Sequence, residues 1–420
     1  MDSLEGKYSI KDMKLAPQGK KNIELAEGNM KGLMSLKQRF EKQKPLDDML
    51  VGLALHITKE TAVLVKTLMA GGAEVAICSC NPLSTQDDVA AALAEEGAYV
   101  YGYKGESTEE YYQYLDAVIR HKPSITIDDG CDLVSRIHSD FPGLIESVEG
   151  GTEETTTGVI RLKAMEKDNA LKYPVIAVND NKTKHLMDNH YGTGQSTMDG
   201  LLRASNVLIA GKNFVVCGYG NCGRGVADRA NGLNANVIVT EVEPVKALQA
   251  HYDGYRVMPM DEAAKIGDIF LTVTGCKNVI TLKHMKKMRD GAMLANSGHF
   301  NHEIDINGLE KHALEKRDMR PLFDEYVLPK GKKLYVAGEG RLVNLAAAEG
   351  HPSEVMSLSF MGQALAAEYI AKHTLDPGVI SLPKEVDDEI ARIHLDSIGV
   401  RHDQLTREQK KYLESWEEGT

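Results

Sequence analysis

The chain has 420 residues, 42% hydrophobic and 26% charged, with a formal net charge of −12. That size suits two or three globular domains, and the acidic balance speaks against a nucleic-acid partner, which wants clustered Lys and Arg. Residues 1–5 lack a secretory n-region and h-region, no run approaches a membrane span, and the six cysteines form no C-x-x-C pair, so a reduced cytoplasmic protein with no membrane, zinc or disulfide framework is expected.

Residues 22–40 carry apolar positions at mixed three and four spacing and read as helical. Alternation of strand and helix begins near Met49. MLVGLAL (49–55), AEVAICS (73–79) and SITIDD (124–129) read as strands, with helices over 58–69 and 87–96. This rhythm implies a parallel sheet flanked by helices. In such sheets ligands bind at the carboxyl ends of strands. His56, Cys80 and Asp129 each lie just past a strand end and are site candidates on that ground.

A second α/β unit starts near Asn213. NFVVC (213–217), VIVTE (237–241), DIFLTVTG (268–275), GAMLANSG (291–298) and LYVAGEG (334–340) read as its strands. Residues 346–382 then return to the first unit, and 385–420 are charged and mostly helical. The expected architecture is α/β, with two Rossmann-like doubly wound parallel sheets. A dinucleotide-binding domain (194–345) is inserted into a substrate-binding domain (1–193 and 346–382), and a helical segment (383–420) follows.

The string GYGNCG (218–223) follows a strand and opens a helix. Gly218 permits the tight turn, Gly220 lets backbone amides approach a pyrophosphate, and Gly223 allows close helix–strand packing. Asn221 opens the helix, whose N-terminus offers free N–H groups and a positive dipole end. Glu241 ends the next strand, where its carboxylate accepts from ribose hydroxyls and repels a 2′-phosphate. NAD is thus expected over NADP. The plainer reading is a βαβ unit without a ligand.

Polar strings crowd the first unit. GTEETTTG (151–158) sets Glu153 and Glu154 beside Thr155, Thr156 and Thr157, and alone would pass as a capped helix start. Lys184 and Asp188 are four apart, which on a helix also describes a solvated ion pair. His56 alone is more often a core or surface histidine, and Asp128–Asp129 alone could be a turn.

Taken together, these strings resemble the S-adenosylhomocysteine hydrolase family over nearly the whole chain. They are LHIT with Glu60, SCNPLSTQD (79–87), DDGCDL (128–133), EETTTGV (153–159), VNDNKTKHLMDNHYGTGQS (178–196), GYGNCGRG (218–225), TEVEP (240–244), NSGHFNHEID (296–305), AGEGRLVNL (337–345) and GHPSEVMSLSF (350–360). The resemblance implies a redox-neutral hydrolysis of S-adenosyl-L-homocysteine to adenosine and L-homocysteine. Bound NAD oxidises the ribose 3′-hydroxyl, which acidifies the 4′-hydrogen. Homocysteine thiolate leaves from the 5′ carbon, water adds, and the hydride returns.

Roles follow from the same resemblance. Lys184 assists removal of the 3′-hydroxyl proton, a task for which its pKa must fall. Asp188 and Glu154 hold ribose hydroxyls, and Asn179 supports the lysine. Asp129 and His56 are the acid–base pair near the leaving group, with His299 on the 3′ side. Thr58, Glu60 and His351 wall the purine. Thr155, Thr156, Thr157, Asn189, Lys246 and Asn344 contact NAD beside Gly218, Gly220, Asn221, Gly223 and Glu241. A homotetramer is implied as well.

Departures from the family pattern are Thr193, where many members have cysteine, Lys246, where many have asparagine, and Cys131, where DDGGDL is usual. Many members also carry a Lys- and Tyr-containing tail that reaches a neighbour's NAD, whereas this sequence stops at Glu417-Glu418-Gly419-Thr420. Weaker NAD retention is expected from that. The short tail resembles archaeal and thermophilic members, some of which prefer S-inosyl-L-homocysteine. Glu60 at the purine edge can accept from an adenine amino group or a hypoxanthine N1–H, so both substrates stay open. An ordinary NAD-dependent dehydrogenase and a catalytically silent regulatory member are the rival classes. The retained chemistry residues speak against the latter. Domain closure with hinges near 190–200 and 345–355 is expected to exclude water.

Overall fold

The computed structural model describes residues 6–416. The stretch 417–420, on which the tail comparison ends, lies outside the described residues.

One sheet holds β1 (Tyr8–Ser9), β2 (Leu50–Ala54), β3 (Glu74–Cys78), β4 (Tyr99–Tyr101), β5 (Ile125–Asp128), β6 (Gly150–Glu153) and β7 (Pro174–Ala177). A second holds β8 (Asn213–Cys217), β9 (Asn236–Thr240), β10 (Arg256–Val257), β11 (Ile269–Thr272), β12 (Ala292–Asn296), β13 (Glu315–Arg320), β14 (Phe323–Val327) and β15 (Lys333–Ala337). The last strand, β16 (Gly378–Ile380), returns to the edge of the first sheet beside β7.

The first sheet runs β1-β4-β3-β2-β5-β6-β7-β16, with parallel pairing. The chain leaves β2 toward β3 on one side and comes back to β5 on the other. A crevice therefore opens between the carboxyl ends of β2 and β5. The second sheet runs β10-β9-β8-β11-β12-β15-β14-β13, and its own reversal lies between β8 and β11. This sheet is not wholly parallel, because β14 pairs antiparallel with both β13 and β15.

The central strands read as unbroken apolar runs because helices cover both faces. Val51, Leu53, Ile77, Ile125 and Ile127 are fully buried in the first sheet, as are Phe214, Val216 and Leu271 in the second. Each such side chain contributes roughly 1.5–3 kcal/mol of burial. The helix Lys59–Ala70 starts where Thr58 accepts from the Thr61 amide, which directs the chain back over the sheet.

Several elements differ from the sequence reading. The 22–40 stretch is two helices, Ala16–Asn29 and Lys31–Gln43, broken at Met30, whose φ −96 and ψ 48 are not helical. The C-terminal segment has helices Lys384–Ser397 and Arg407–Leu413 with a non-helical stretch between. Strand β6 has the sequence GGTE, which carries no apolar signal. Its glycines admit close packing: a Cβ on Gly150 would lie 3.0 Å from Ile370, and one on Gly151 would lie 2.4 Å from the Thr126 hydroxyl. Strand β13 (EKRDMR) is exposed throughout and too charged to read as a strand, a composition that protects a sheet edge.

Candidate active site

The crevice between β2 and β5 places His56 and Asp129 face to face. Ala54 pairs with Asp128, so both residues leave the sheet at one level. His56 Nε2 lies 3.4 Å from Asp129 Oδ2. His299 arrives from the loop after β12 and sets its Nδ1 3.5 Å from Asp129 Oδ1. Gly130 has φ +110, and a Cβ there would meet His299 Nε2 at 2.3 Å, so glycine is required twice over. Burial, outweighing Asp129, pulls the His56 imidazole down to about 4 and keeps it neutral near pH 7.

The loop carrying His299 is clamped by Asn296. Its amide group donates to the carbonyls of Gly298, Phe300 and Gly340 at 3.0–3.1 Å, while its Oδ1 accepts from the Gly298 amide at 2.8 Å. The second sheet thus delivers one residue into the crevice of the first.

Lys184 stands behind β6 and β7. A short helix (Lys182–His185) and a π-helical turn (Asp188–Gly192) bring it together with Asp188 and Asn189. Lys184 Nζ donates to Asn189 Oδ1 at 2.8 Å and Asn179 Oδ1 at 3.5 Å, and lies 3.4 Å from both Glu154 Oε1 and Asp188 Oδ1. Asn189 donates to Asn179 at 3.1 Å, and Asn179 to Thr156 Oγ1 at 3.1 Å. Lys184 and Asp188 are 5% and 3% exposed, which rules out a solvated surface pair.

Burial pulls the Lys184 ammonium down, yet Asp188 and Glu154 outweigh it and hold the lysine above its ordinary range. The lowered pKa expected of a base is therefore not present before substrate enters. Asp188 is pushed up by burial but held well below the usual carboxylate range by Lys184 and His351. Glu154 goes the other way: burial prevails over Lys184 and raises it to about 7. Asp188 is thus the carboxylate that keeps its charge, and Glu154 the one that readily takes a proton. Glu154 Oε1 is buried and has no hydrogen-bond partner among the described residues, which suits a ligand hydroxyl.

The Gly218–Gly223 turn follows β8, and Asn221 opens the helix Asn221–Gly232. Gly218 has φ +107, and a Cβ on Gly223 would lie 2.1 Å from the Gly218 carbonyl. Nothing lies within 4 Å of where a Gly220 Cβ would project, which leaves a cradle of backbone amides open. Glu241 accepts from the amides of Tyr219, Val242 and Glu243 at 2.6–3.0 Å, which fixes its carboxylate past β9. Asn344 donates to Ser196 at 3.1 Å, and its buried Oδ1 has no partner among the described residues.

A single cavity of about 1240 Å³ joins these groups. Its lining includes His56, Asp129, Glu154, Lys184, Asp188, His299, Thr155, Thr156, Thr157, Gly218, Gly220, Glu241, Lys246 and Asn344. The volume exceeds the roughly 300–1,000 Å³ of one small-molecule pocket. Asn179 and Gly223 do not line it: Asn179 braces Lys184, and Gly223 packs on the turn.

The family models match here. Residues 7–142 match S-adenosyl-L-homocysteine hydrolase, and residues 189–350 match the S-adenosyl-L-homocysteine hydrolase NAD binding domain. The chain is 58% identical over 99% of both chains to an S-inosyl-L-homocysteine hydrolase of Methanopyrus kandleri. It is 56% identical to an adenosylhomocysteinase of Saccharolobus solfataricus, over 98% of this chain and 100% of that one. Identity to an adenosylhomocysteinase of Aquifex aeolicus is also 56%, with the same coverage. The chain belongs to the S-adenosyl-L-homocysteine hydrolase family.

It is therefore a hydrolase with an NAD-binding domain. The residues present fit NAD: Gly220 leaves open space beside the helix N-terminus, Glu241 sets a carboxylate on the cavity wall, and the buried Asn344 Oδ1 has no partner among the described residues.

Other family-string residues sit as follows. Thr58 and Glu60 line the cavity, and Glu60 Oε1 accepts from Ser353 Oγ at 2.6 Å. His351 also lines it, but its Nδ1 lies 3.3 Å from Asp188 Oδ1, so it reaches the Lys184 cluster as well. Thr193 lies 3.4 Å from His351 Nε2 and 3.6 Å from Cys222 Sγ. Lys246 pairs with Glu243 at 2.7 Å.

Sequence reasoning missed the helix Ser353–Lys372 as a source of support. Ser359 donates to Asp188 Oδ2 at 2.6 Å, and Gln363 donates to Glu154 while accepting from Thr152. Ser359 and Gln363 are four apart and share a helix face. Ser359 and Gln363, four apart within the largely apolar stretch 355–367, were the available signal.

Proposed function

We propose that the enzyme cleaves the thioether of S-adenosyl-L-homocysteine reversibly, giving adenosine and L-homocysteine, with Lys184, Asp188, Glu154, Asn179, His56, Asp129 and His299 as the working side chains. The reading is carried by one observation: the Lys184 cluster and the His56–Asp129–His299 cluster face one cavity with the Gly218–Gly223 turn.

When bound, NAD supplies hydride acceptance and return at the 3′ carbon. Gly218, Gly220, Asn221, Glu241, Asn344 and the three threonines 155–157 would hold it, with Asn189 and Lys246 beside them. Asp188 and Glu154 bind the ribose hydroxyls. Lys184 enters the cycle as an ammonium between these carboxylates. Glu154, with a pKa of about 7, is the neighbour that receives a proton as the 3′-hydroxyl ionises. Asn179 and Asn189 hold Lys184 in place during that exchange. His56, neutral at pH 7, and Asp129 serve the 4′ hydrogen and the 5′ leaving group, with His299 positioning Asp129 from the far side.

A second reading, hydrolysis of S-inosyl-L-homocysteine, is equally compatible with the buried Glu60 carboxylate, an acceptor that suits a hypoxanthine N1–H as well as an adenine amino group. Separate turnover assays with the two thioethers decide between them. Nucleoside and free thiol should appear in equal amounts without net NADH. Net NADH accumulation would show an ordinary dehydrogenase, and absence of turnover with both thioethers would favour a binding protein.

The substrate-binding unit is placed at 1–193 and 346–382, the NAD-binding unit at 194–345 and a helical segment at 383–420, a division supported by β16 joining the first sheet. Hinges near 190–200 and 345–355 fit the two chain crossings between the sheets. A homotetramer accords with the family resemblance and with exposed apolar side chains such as Leu208, Tyr252 and Trp416. Light scattering of the NAD-loaded enzyme tests it. A cytoplasmic location accords with six free cysteines.

A further inference from the structure

We infer that His56, Cys80 and Asp129 form a site for one thiophilic divalent cation of the Zn²⁺ class, at the position assigned above to the departing thiol. The inference rests on that assignment for its consequence but not for its geometry.

Each residue offers one ligand atom, and these atoms all lie within 4.8 Å of one another. His56 Nε2 is 3.4 Å from Asp129 Oδ2, and Cys80 Sγ is 3.7 Å from the same oxygen. A tetrahedral zinc with Zn–N and Zn–O near 2.1 Å and Zn–S near 2.3 Å sets its ligands about 3.4 Å (N···O) and about 3.6 Å (S···O) apart. The protein already holds these two separations, and the third pair lies within 4.8 Å.

Hydrogen bonding on the far side of the imidazole supports the same reading. His56 Nδ1 lies 2.7 Å from Ser84 Oγ, and that hydroxyl donates to the Asn81 carbonyl at 3.0 Å. With the serine hydrogen given to that carbonyl, Nδ1–H donates to the serine and Nε2 presents a lone pair. That lone pair faces a carboxylate oxygen, and two acceptors at this distance call for a cation or a proton between them. Outer-shell bonding of this kind fixes metal-ligating histidines.

Charge balance completes the picture. On binding, the Cys80 S–H bond breaks and its proton passes to solvent. The thiolate and the Asp129 carboxylate then offset the two positive charges. His56 and Asp129 line the cavity, with Cys80 buried behind them, so a fourth coordination position would face the cavity. A thiol of the homocysteine type fits there. The bound cation would occupy the lone pairs of both His56 and Asp129, so it inhibits thioether cleavage, and free thiol product deepens the inhibition.

The test uses the NAD-loaded full chain. Zn²⁺ is titrated against a chromophoric chelator, and Co²⁺ serves as a spectroscopic probe of thiolate ligation. One equivalent should bind per chain, with a cobalt–thiolate charge-transfer band. Cys80→Ala should abolish the band and lower Zn²⁺ affinity beyond the roughly 10–100-fold typical of losing an outer-shell partner. Asp129→Asn, which keeps the volume, should also lower it. Cys276→Ala, at an exposed thiol, should bind like the parent. No binding to the parent chain, or equal binding after Cys80→Ala and Asp129→Asn, overturns the site. Because binding is read without substrate, its failure leaves the thioether assay standing, and the converse also holds.

Discussion

The two strand-end crevices of this enzyme are built from different materials. At the β2/β5 crevice and the neighbouring ends of β6 and β7 the groups that matter are side chains, nearly all buried and already paired with one another. At the β8/β11 crevice they are backbone: a turn at φ +107, a glycine facing open space, and a helix N-terminus. The difference reflects the two tasks. Holding a pyrophosphate needs N–H donors and room, and these do not titrate. Moving protons needs ionisable groups whose affinities are pushed apart, and only burial and mutual charge achieve that.

The largest expected effect comes from removing the centre of the side-chain crevice. Lys184→Ala should lose turnover by about 10²–10⁴-fold while keeping its NAD. It should also lose roughly 3–5 kcal/mol of stability, because Asp188 is left buried without its cation. Single-turnover assays and cofactor content after desalting check this. Near-parental activity would remove Lys184 from the mechanism.

The complementary change acts on the backbone crevice. Gly220→Val fills the open cradle and should weaken NAD binding by about 100-fold, near 3 kcal/mol, with the apoenzyme's unfolding midpoint unchanged. Gly223→Ala should instead lower the apoenzyme's stability by about 1–3 kcal/mol, and its midpoint with it, since its Cβ meets the Gly218 carbonyl. Calorimetry with and without NAD separates the two outcomes. If both variants behaved alike, the distinction between room for the ligand and packing of the turn would fail.

Protonation offers a third probe. The unfolded chain protonates His56 below about 6.5, whereas the folded chain does so only below about 4. The unfolded state therefore binds more protons in that window, and acid destabilises the fold. His56 should contribute a loss of about 3 kcal/mol as pH falls across it. His56→Gln removes this slope, so the difference between parent and variant unfolding curves isolates it from the buried carboxylates. A difference independent of pH would contradict the burial argument. The smallest effect is expected at Lys246, partly exposed and paired with Glu243. Lys246→Ala should change NAD affinity by less than about 1 kcal/mol.

The glycine turn was legible because its signal is local: strand, three glycines, helix and acid follow one another along the chain. The apolar strands β2, β3, β5, β8 and β11 were legible for a similar reason, since burial on both faces leaves a run of consecutive apolar residues. Strand β6 was not, because two glycines and two polar residues make sense only beneath the helix that crosses it. The Lys184–Asp188 spacing was visible, but equally compatible with a surface pair. The scattered cysteines offered no metal pattern, since Cys80 meets His56 and Asp129 only across neighbouring strand ends.

Sequence alone thus determined the α/β alternation, the dinucleotide turn and, through its ordered strings, the family. Those features are written in neighbouring residues and in period. Tertiary structure decided which charges survive. Lys184 stays protonated, Asp188 stays ionised and Glu154 sits near neutrality because desolvation and pairwise charge depend on distances that no spacing encodes. It also decided that Gln363, Ser359 and Ser353, far along the chain, would hold the carboxylates of the site.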